Sequence, residues 1–167
     1  MLRRLADIRP GGLLPSTRFH LAQVNIGRIR APLDDPLMEG FVSQLERINA
    51  VADQSPGFVW RLQTPEGDAT SIRPFDDDRV LVNMSVWESM EALHQYVYEG
   101  PHLGLLRDRR EWFLPYEGPM LALWWIPAGH VPTVEEAKAK LDELGRSGPT
   151  TSAFTFRNPF PASETRC

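Results

Sequence analysis

The stretch that decides the fold is Arg79–Phe113, RVLVNMSVWESMEALHQYVYEGPHLGLLRDRREWF. It begins as a strand with one uniformly apolar face and one mixed face, the pattern of a sheet that carries helices on one side only. Ser89 then caps a helix that runs to about Tyr98, where Gly100-Pro101 breaks it. A second, basic helix is predicted over about 102–111.

The chain before this stretch opens with a predicted first strand. Residues 19–30 alternate in polarity and are bounded by turn signals. The even positions are the more apolar, and we predict that they face the core. Gln23 and Asn25 therefore lie on the opposite face, and they would point into solvent or into a cavity.

A helix, a short strand and a long loop follow. Asp35 before Pro36 predicts the helix start, and the Ser-Pro-Gly sequence at 55–57 ends that helix. A second strand is predicted over 58–62. The polar segment 64–78 is predicted to be a solvated excursion between strands, with a binding loop or lid as the alternative.

The last third of the chain predicts one more strand, one more helix and a tail. The strongly apolar residues 119–126 form the fourth strand, and Thr133 caps a helix that Gly145 ends. We therefore predict an N-terminal arm over 1–18, one domain over 19–147 and an extended tail over 148–167. The tail would pack on its own domain or on a partner subunit.

Composition and charge exclude several classes of function. The 167 residues carry a formal net charge of −4, which argues against binding to nucleic acid or to an anionic membrane. The single cysteine, Cys167, excludes an internal disulfide framework and a cysteine metal cage. No apolar run is long enough for a membrane span. These features predict a cytoplasmic protein.

Two motifs resemble the dimeric α+β-barrel superfamily, which contains the antibiotic-biosynthesis monooxygenases. Ser55-Pro56-Gly57-Phe58 is similar to the turn that leads into its second strand. Val86-Trp87-Glu88-Ser89, followed by Glu91-Ala92-Leu93, is similar to its strand-to-helix junction. The resemblance implies an α+β fold: a ferredoxin-like antiparallel sheet with helices on one face, which forms a dimeric α+β barrel.

The same resemblance implies where a ligand and a partner would lie. Members pair as homodimers through their sheets, and each subunit keeps a pocket between the concave face of the sheet and the helices. A tail or edge strand often crosses to the partner, a role that would suit Ala153–Arg157.

A closer resemblance covers about 20–160 and is to a bacterial domain-of-unknown-function family within that superfamily. The name of this family implies no activity. The motifs that carry the likeness are Phe58-Val59-Trp60-Arg61-Leu62, Ile72-Arg73-Pro74-Phe75, Asn83-Met84-Ser85-Val86-Trp87, Arg110-Glu111-Trp112-Phe113 and Trp124-Trp125.

The basic helix supplies the first group of candidate site residues. His102, Arg109 and Phe113 recur at helical spacing and would line one wall, where imidazole and guanidinium could meet an anionic or enolate-like ligand. The alternative is a solvated helix face balanced by neighbouring acidic residues.

Polar residues on the mixed strand face supply the second group. Buried amides are costly unless they are hydrogen-bonded, so they would line a wet pocket or bond across strands or across a dimer interface. The superfamily resemblance implies a site role for an Asn on the first strand, and Asn25 occupies the matching place. These polar residues are Gln23, Asn25, Asn83 and Ser85.

Aromatic residues form the third group, since flat rings suit polycyclic ligands. In haem-degrading members of the superfamily that the chain resembles, a Trp and a His stand at places that here hold Tyr96 and Leu105. That departure argues against haem degradation but leaves haem binding open. The run Asp76–Asp78 is interpreted as solvated, and no metal site is predicted.

These observations predict a cofactor-independent enzyme of the monooxygenase type, which acts on an aromatic or polyketide-like small molecule. A haem- or ligand-binding protein and a non-catalytic structural homodimer are the alternatives. The predicted catalytic residues are His102, Asn25, Asn83 and Arg109. The predicted substrate-binding residues are Trp60, Arg61, Tyr96, Trp112, Phe113, Gln23 and Ser85.

Overall fold

A computed structural model describes residues 18–162 of the chain. The predicted N-terminal arm therefore lies outside the described residues, apart from Arg18. The end of the predicted tail, including Cys167, lies outside them too. No helix within the described range is long and apolar enough to cross a membrane.

One antiparallel sheet forms the centre of the fold. Its strands are β1 (Phe19–Ile29), β2 (Phe58–Arg61), β3 (Val80–Trp87), β4 (Phe113–Leu114) and β5 (Leu121–Pro127). The order is β2-β3-β1, and β5 and β4 share the other side of β1. This order, with antiparallel pairing throughout, is the predicted ferredoxin-like sheet. The two-residue strand β4 was not predicted.

Within residues 18–162, four helices pack on the sheet. They are α1 (Glu39–Gln54), α2 (Met90–Glu99), α3 (His102–Trp112) and α4 (Val134–Ser147), and a short 3-10 turn over Pro36–Met38 leads into α1. The order of helices and strands agrees with the sequence-based prediction, so the α+β architecture is confirmed.

The predicted helix starts are confirmed at the level of hydrogen bonds. Asp35, Ser89 and Thr133 each accept a bond from a backbone N–H two or three residues further on, at 2.9–3.1 Å. One predicted end is wrong, because α4 passes through Gly145. It stops before Gly148, whose φ of 68° is the left-handed geometry that favours glycine.

The even face of the sheet is dry and fully covered within one chain. Side chains of the sheet pack there against Ala137, Leu141 and Leu144 of α4, with Ile72 and Phe75 of the long loop beside them. The structure therefore differs in one detail from the expected helices on one face: α1, α2 and α3 share a face, and α4 lies on the other. The buried sheet residues on the even face are Ala22, Val24, Ile26, Val80, Val82, Met84, Val86, Ala122, Trp124 and Ile126.

The odd face is organised differently. Apolar clusters pack at its two ends, one around Trp87 and Phe154 and the other around Phe41 and Trp112. Between them the polar residues of β1 and β3 face each other, and Asn25 pairs in register with Asn83. The odd face therefore leaves a gap beneath the helices.

The tail packs on its own domain. Phe154 exchanges two backbone hydrogen bonds with Leu123 of β5, at 2.8 and 2.9 Å, and its side chain is fully buried. Of the two expected positions of the tail, Phe154 therefore takes the one on its own domain, and a crossing of Ala153–Arg157 to a partner stays a prediction.

Candidate functional site

The gap on the odd face is a cavity of about 340 Å³. Strands β1 and β3 form its floor, and α1, α2 and α3 form its walls and roof. Most of the lining is apolar, with a few polar groups that converge from the strands and from α3. A cavity of this size and composition is typical of a small-molecule site.

A hydrogen-bonded polar strip lies on the cavity floor. Gln23 Nε2 donates to Ser85 Oγ at 2.9 Å and to Asn83 Oδ1 at 3.4 Å, and Trp87 Nε1 donates to Ser85 Oγ at 2.8 Å. An indole N–H is only a donor, so Ser85 must accept from Trp87. If Gln23 also donates, the Ser85 hydroxyl proton is left for the cavity. If the amide is flipped, Ser85 donates to it and the Gln23 NH₂ is left instead. In either case the pair offers the cavity at least one hydrogen-bond donor.

Asn25 is the polar residue of the floor that lacks compensation. Its Oδ1 atom is buried and has no hydrogen-bond partner among the described residues. A buried polar atom without a partner costs about 1–3 kcal/mol. A ligand hydroxyl that donated to this oxygen would remove that cost.

His102 begins α3 and faces the cavity beside Tyr96, with the two ring centroids 5.2 Å apart. Its buried Nδ1 makes no hydrogen bond of normal geometry, although the Val97 carbonyl lies close enough to raise the pKa slightly. Burial is the larger effect and lowers the pKa of His102 below its ordinary value. The imidazole is therefore neutral near neutral pH and can accept a proton.

Tyr96 forms a wall of the cavity. Its ring stacks on Trp87 with centroids 5.0 Å apart, and its hydroxyl donates to the Ile48 carbonyl at 3.4 Å. Burial raises the pKa of Tyr96 to about 12, and the nearby Arg61 only partly opposes this. The phenol therefore stays protonated and is no base at neutral pH.

Arg61 is already committed to partners within the protein. Its guanidinium forms a bidentate pair with Asp53 at 2.7 and 3.1 Å, and it donates to the Gly67 carbonyl at 2.8 Å. Arg61 therefore joins α1 to the loop beside the cavity.

Arg109 lies at the other end of α3 and is half-buried. Its Nη2 contacts the Ile26 carbonyl at 3.3 Å and Met120 Sδ at 3.2 Å, and the guanidinium lies 5.3 Å from the Phe113 ring centroid. It forms no salt bridge with any residue between 18 and 162. Burial lowers the pKa of Arg109, though an arginine stays charged.

The family is shown by a match over nearly the whole chain. Residues 20–167 match the model of a domain of unknown function, DUF3291. The chain belongs to the DUF3291 family. No curated protein matches the sequence.

Solved structures similar to this DUF3291 protein include three bacterial proteins. SnoaB, a cofactor-independent oxygenase from Streptomyces nogalater, is 20% identical, with 67% of this chain and 95% of that chain covered and a TM-score of 0.43. PA3566 from Pseudomonas aeruginosa is 14% identical, with coverages of 69% and 97% and a TM-score of 0.40.

The third is the monooxygenase from the gene ActVA-Orf6 of Streptomyces coelicolor, in complex with Nanaomycin D. It is 16% identical, with 70% of this chain and 94% of that chain covered and a TM-score of 0.36. Likeness of this degree does not carry an activity from one protein to another.

Nine of the predicted site residues lie together around the cavity of the DUF3291 chain, and two do not. Those at the cavity are Gln23, Asn25, Arg61, Asn83, Ser85, Tyr96, His102, Arg109 and Phe113. Trp60 packs instead against the dry face, because a bulge between Phe58 and Trp60 reverses the alternation of β2. Trp112 is buried against Phe41 of α1, with ring centroids 6.0 Å apart.

Several lining residues were missed. The loop contributes Asp68, Ala69 and Thr70, so part of segment 64–78 is a cavity wall and the prediction of a solvated excursion is wrong there. Phe156 of the tail also reaches the cavity. The only sequence signal for the loop was its length and polarity, and nothing placed the tail on this face.

Two charged residues of the basic and acidic runs, both outside the cavity, form salt bridges. Arg107 pairs with the neighbouring Asp108 at 2.8 Å, and Asp77 pairs with Arg28 at 2.7 Å. No group of three or more acidic, His or Cys side chains suited to a metal ion occurs among the described residues.

Proposed function

We propose that this DUF3291 protein is a cofactor-independent monooxygenase that acts on an aromatic, polyketide-like small molecule in the odd-face cavity. One observation carries the proposal: a mostly apolar cavity encloses a neutral histidine and an uncompensated buried amide oxygen. Perturbed ionisable groups in a cavity are typical of an active site.

In the proposed reaction the substrate supplies the electrons and molecular oxygen is the co-reactant. His102 takes a proton from a CH₂ group that lies between aromatic rings or beside a carbonyl. The carbanion reacts with O₂ to form a C–O bond. The O–O bond then breaks, the second hydrogen leaves the carbon, and CH₂ + O₂ becomes C=O + H₂O.

The floor of the cavity would hold the substrate during this step. Asn25 Oδ1 accepts a phenolic hydroxyl, or the flipped amide donates to an enolate oxygen. The donor shared by Ser85 and Gln23 stabilises the negative charge that develops on a carbonyl oxygen. The stacked rings of Tyr96 and Trp87 keep water away from the carbanion.

Haem is the alternative ligand, and the residues fit it poorly. His102 offers one imidazole, but its ring packs against Tyr96 with the two centroids 5.2 Å apart, and Leu105 of the same helix offers no donor. The cavity lies near the lower end of the range for ligand sites, about 300–1,000 Å³. Two or three fused rings suit it better than a tetrapyrrole, and we expect no Soret shift when haemin is added.

The predicted homodimer stays a proposal, and its expected mode needs revision. Pairing through the sheets requires an open sheet face, whereas α4 and the loop residues Ile72 and Phe75 cover the even face within one chain. A dimer would therefore have to use another surface.

Oxygen uptake tests the proposal. The protein is mixed with 1,8-dihydroxyanthrone in air-saturated buffer containing a chelator, and oxygen consumption and anthraquinone formation are recorded together. We expect His102→Gln to lower the rate about 10²- to 10⁴-fold, the usual contribution of a general base. The control is His130→Gln, because His130 pairs with Glu136 near α4 and lies outside the cavity. A wild-type rate no higher than the blank, or full activity in His102→Gln, contradicts the proposal.

A further inference from the structure

The cavity has chemically different ends, and Arg109 defines one of them. A half-buried cation is costly unless a counter-ion compensates it, and no carboxylate among residues 18–162 pairs with Arg109. Only its Nη2 is engaged, so Nε and Nη1 are left without a partner in this part of the chain. The Nε–H and Nη1–H groups point to different sides of the guanidinium, so each can donate one charge-assisted hydrogen bond to a carboxylate oxygen.

The absence of a side chain at Gly27 leaves space for the Arg109 guanidinium. A Cβ atom at Gly27 would lie 2.6 Å from the Phe113 ring and 3.5 Å from Arg109 Nη2. Glycine on β1 therefore lets the ring and the guanidinium approach the floor of the cavity. Gly27 and Asn25 share the odd face, about 7 Å apart along the strand.

The opposite end of the cavity carries the neutral histidine. His102 and Arg109 are both on α3 and both line the cavity. They are seven positions apart in sequence, so they lie about 10 Å apart along the helix. Two fused rings with a substituent span that distance.

From these contacts we infer that the cavity binds an elongated organic anion, with its carboxylate on Arg109 and its ring system directed towards His102. The orientation of the reacting carbon rests on the proposed monooxygenase function. The recognition of the anion does not, because it depends on charge and on the shape of the cavity alone. Asn25 and the Ser85–Gln23 donor would contact polar substituents between the two ends.

The test is a binding comparison without oxygen, so that turnover plays no part. Wild-type protein is titrated with 2-naphthoate and with its neutral analogue 2-naphthamide in low-salt buffer, and calorimetry gives both dissociation constants. A charge-assisted pair predicts about 10- to 100-fold tighter binding of the acid. 2-Naphthol, titrated below and above its ionisation, distinguishes a phenolate from a carboxylate as the bound oxyanion.

Variants assign the preference to one residue. Arg109→Met should bring the affinity for the acid down to that of the amide, and Arg109→Lys should recover part of the preference. Arg110→Met is the matched control, since Arg110 is the next residue of α3, is exposed and does not line the cavity. A purely structural arginine would lower the melting temperature when replaced, whereas removal of an uncompensated cation leaves it unchanged or raised.

Three results would overturn the inference. The first is equal affinity of the wild-type protein for the acid and the amide, and the second is an equal loss in Arg110→Met. The third is no binding of either compound below about 1 mM, the range where weak complexes lie. Anion binding without oxygen uptake would preserve this inference and reject the monooxygenase, and the reverse result would do the opposite.

Discussion

The two faces of the central sheet differ in burial and in chemistry. On the even face, side chains of β1, β3 and β5 are almost completely buried against α4 and the long loop. On the odd face, the same strands present Gln23, Asn25 and Ser85 to a cavity. Because successive residues point to opposite faces, a single strand contributes to stability and to the site in alternation. The comparison teaches that mutations one residue apart should have different kinds of effect.

The largest expected effect is a loss of stability when a side chain of the dry even face is shortened. Met84 is 1% exposed, and its neighbour Asn83 points to the other side of β3 and is exposed. Met84→Ala should lower the free energy of unfolding by about 2–5 kcal/mol, since it leaves a cavity in a packed core. Asn83→Ala should change it by no more than about 0.5 kcal/mol. Urea unfolding of both variants measures the contrast, and similar values for the two would contradict it.

A smaller effect is expected at the cationic end of the cavity. Gly27→Ala places a methyl group against the Phe113 ring, so it should cost about 1–3 kcal/mol of stability by overpacking. It should also displace Arg109 and weaken the binding of 2-naphthoate more than that of 2-naphthamide. Calorimetry with both compounds checks this. An equal loss for both would mean that the methyl group narrows the cavity without affecting the cation.

The next effect depends on pH. The folded-state pKa of His102 lies below its ordinary value, so the unfolded chain binds the proton more readily. The contribution of His102 to the free energy of unfolding should therefore be fully present above pH 6.5. It should decrease as the pH drops below that value and level off below the folded-state pKa. In His102→Gln this part of the decrease should disappear, whereas His130→Gln should retain it. Thermal unfolding between pH 5 and 8 measures the difference.

The smallest effect on stability is expected at Asn25. Its buried Oδ1 has no partner within the described range, so Asn25→Ala removes a cost together with some packing. We expect the free energy of unfolding to change by less than about 1 kcal/mol, while the affinity for a hydroxylated aromatic ligand falls. A large loss of stability would instead identify Asn25 as a structural residue, and urea unfolding distinguishes the two outcomes.

Alternation alone predicted which strand residues share a face. It placed Gln23, Asn25, Asn83 and Ser85 together because β1 and β3 pair in regular register. Trp60 was predicted from its aromatic ring alone, and it lies on the even face because of a bulge that the sequence of β2 does not reveal.

Helical spacing predicted which side chains of a helix lie together, but not which face of the sheet the helix covers. The spacing of His102, Arg109 and Phe113 predicted one wall, and all three line the cavity. The cap at Thr133 predicted that α4 forms, but no local pattern says which face of a sheet a helix covers. Trp112 was misplaced for the same reason, because its partner Phe41 is distant in sequence and lies on α1.

The central claim is that the odd face is the ligand site and the even face is only scaffold. A titration of isotope-labelled protein with 2-naphthoate, followed by backbone amide NMR shifts, tests it most directly. We predict saturable shifts in residues 23–27 of β1, in residues 83–85 of β3 and along α3, and unchanged signals in α4. Shifts centred on α4, or none that saturate, would contradict the claim.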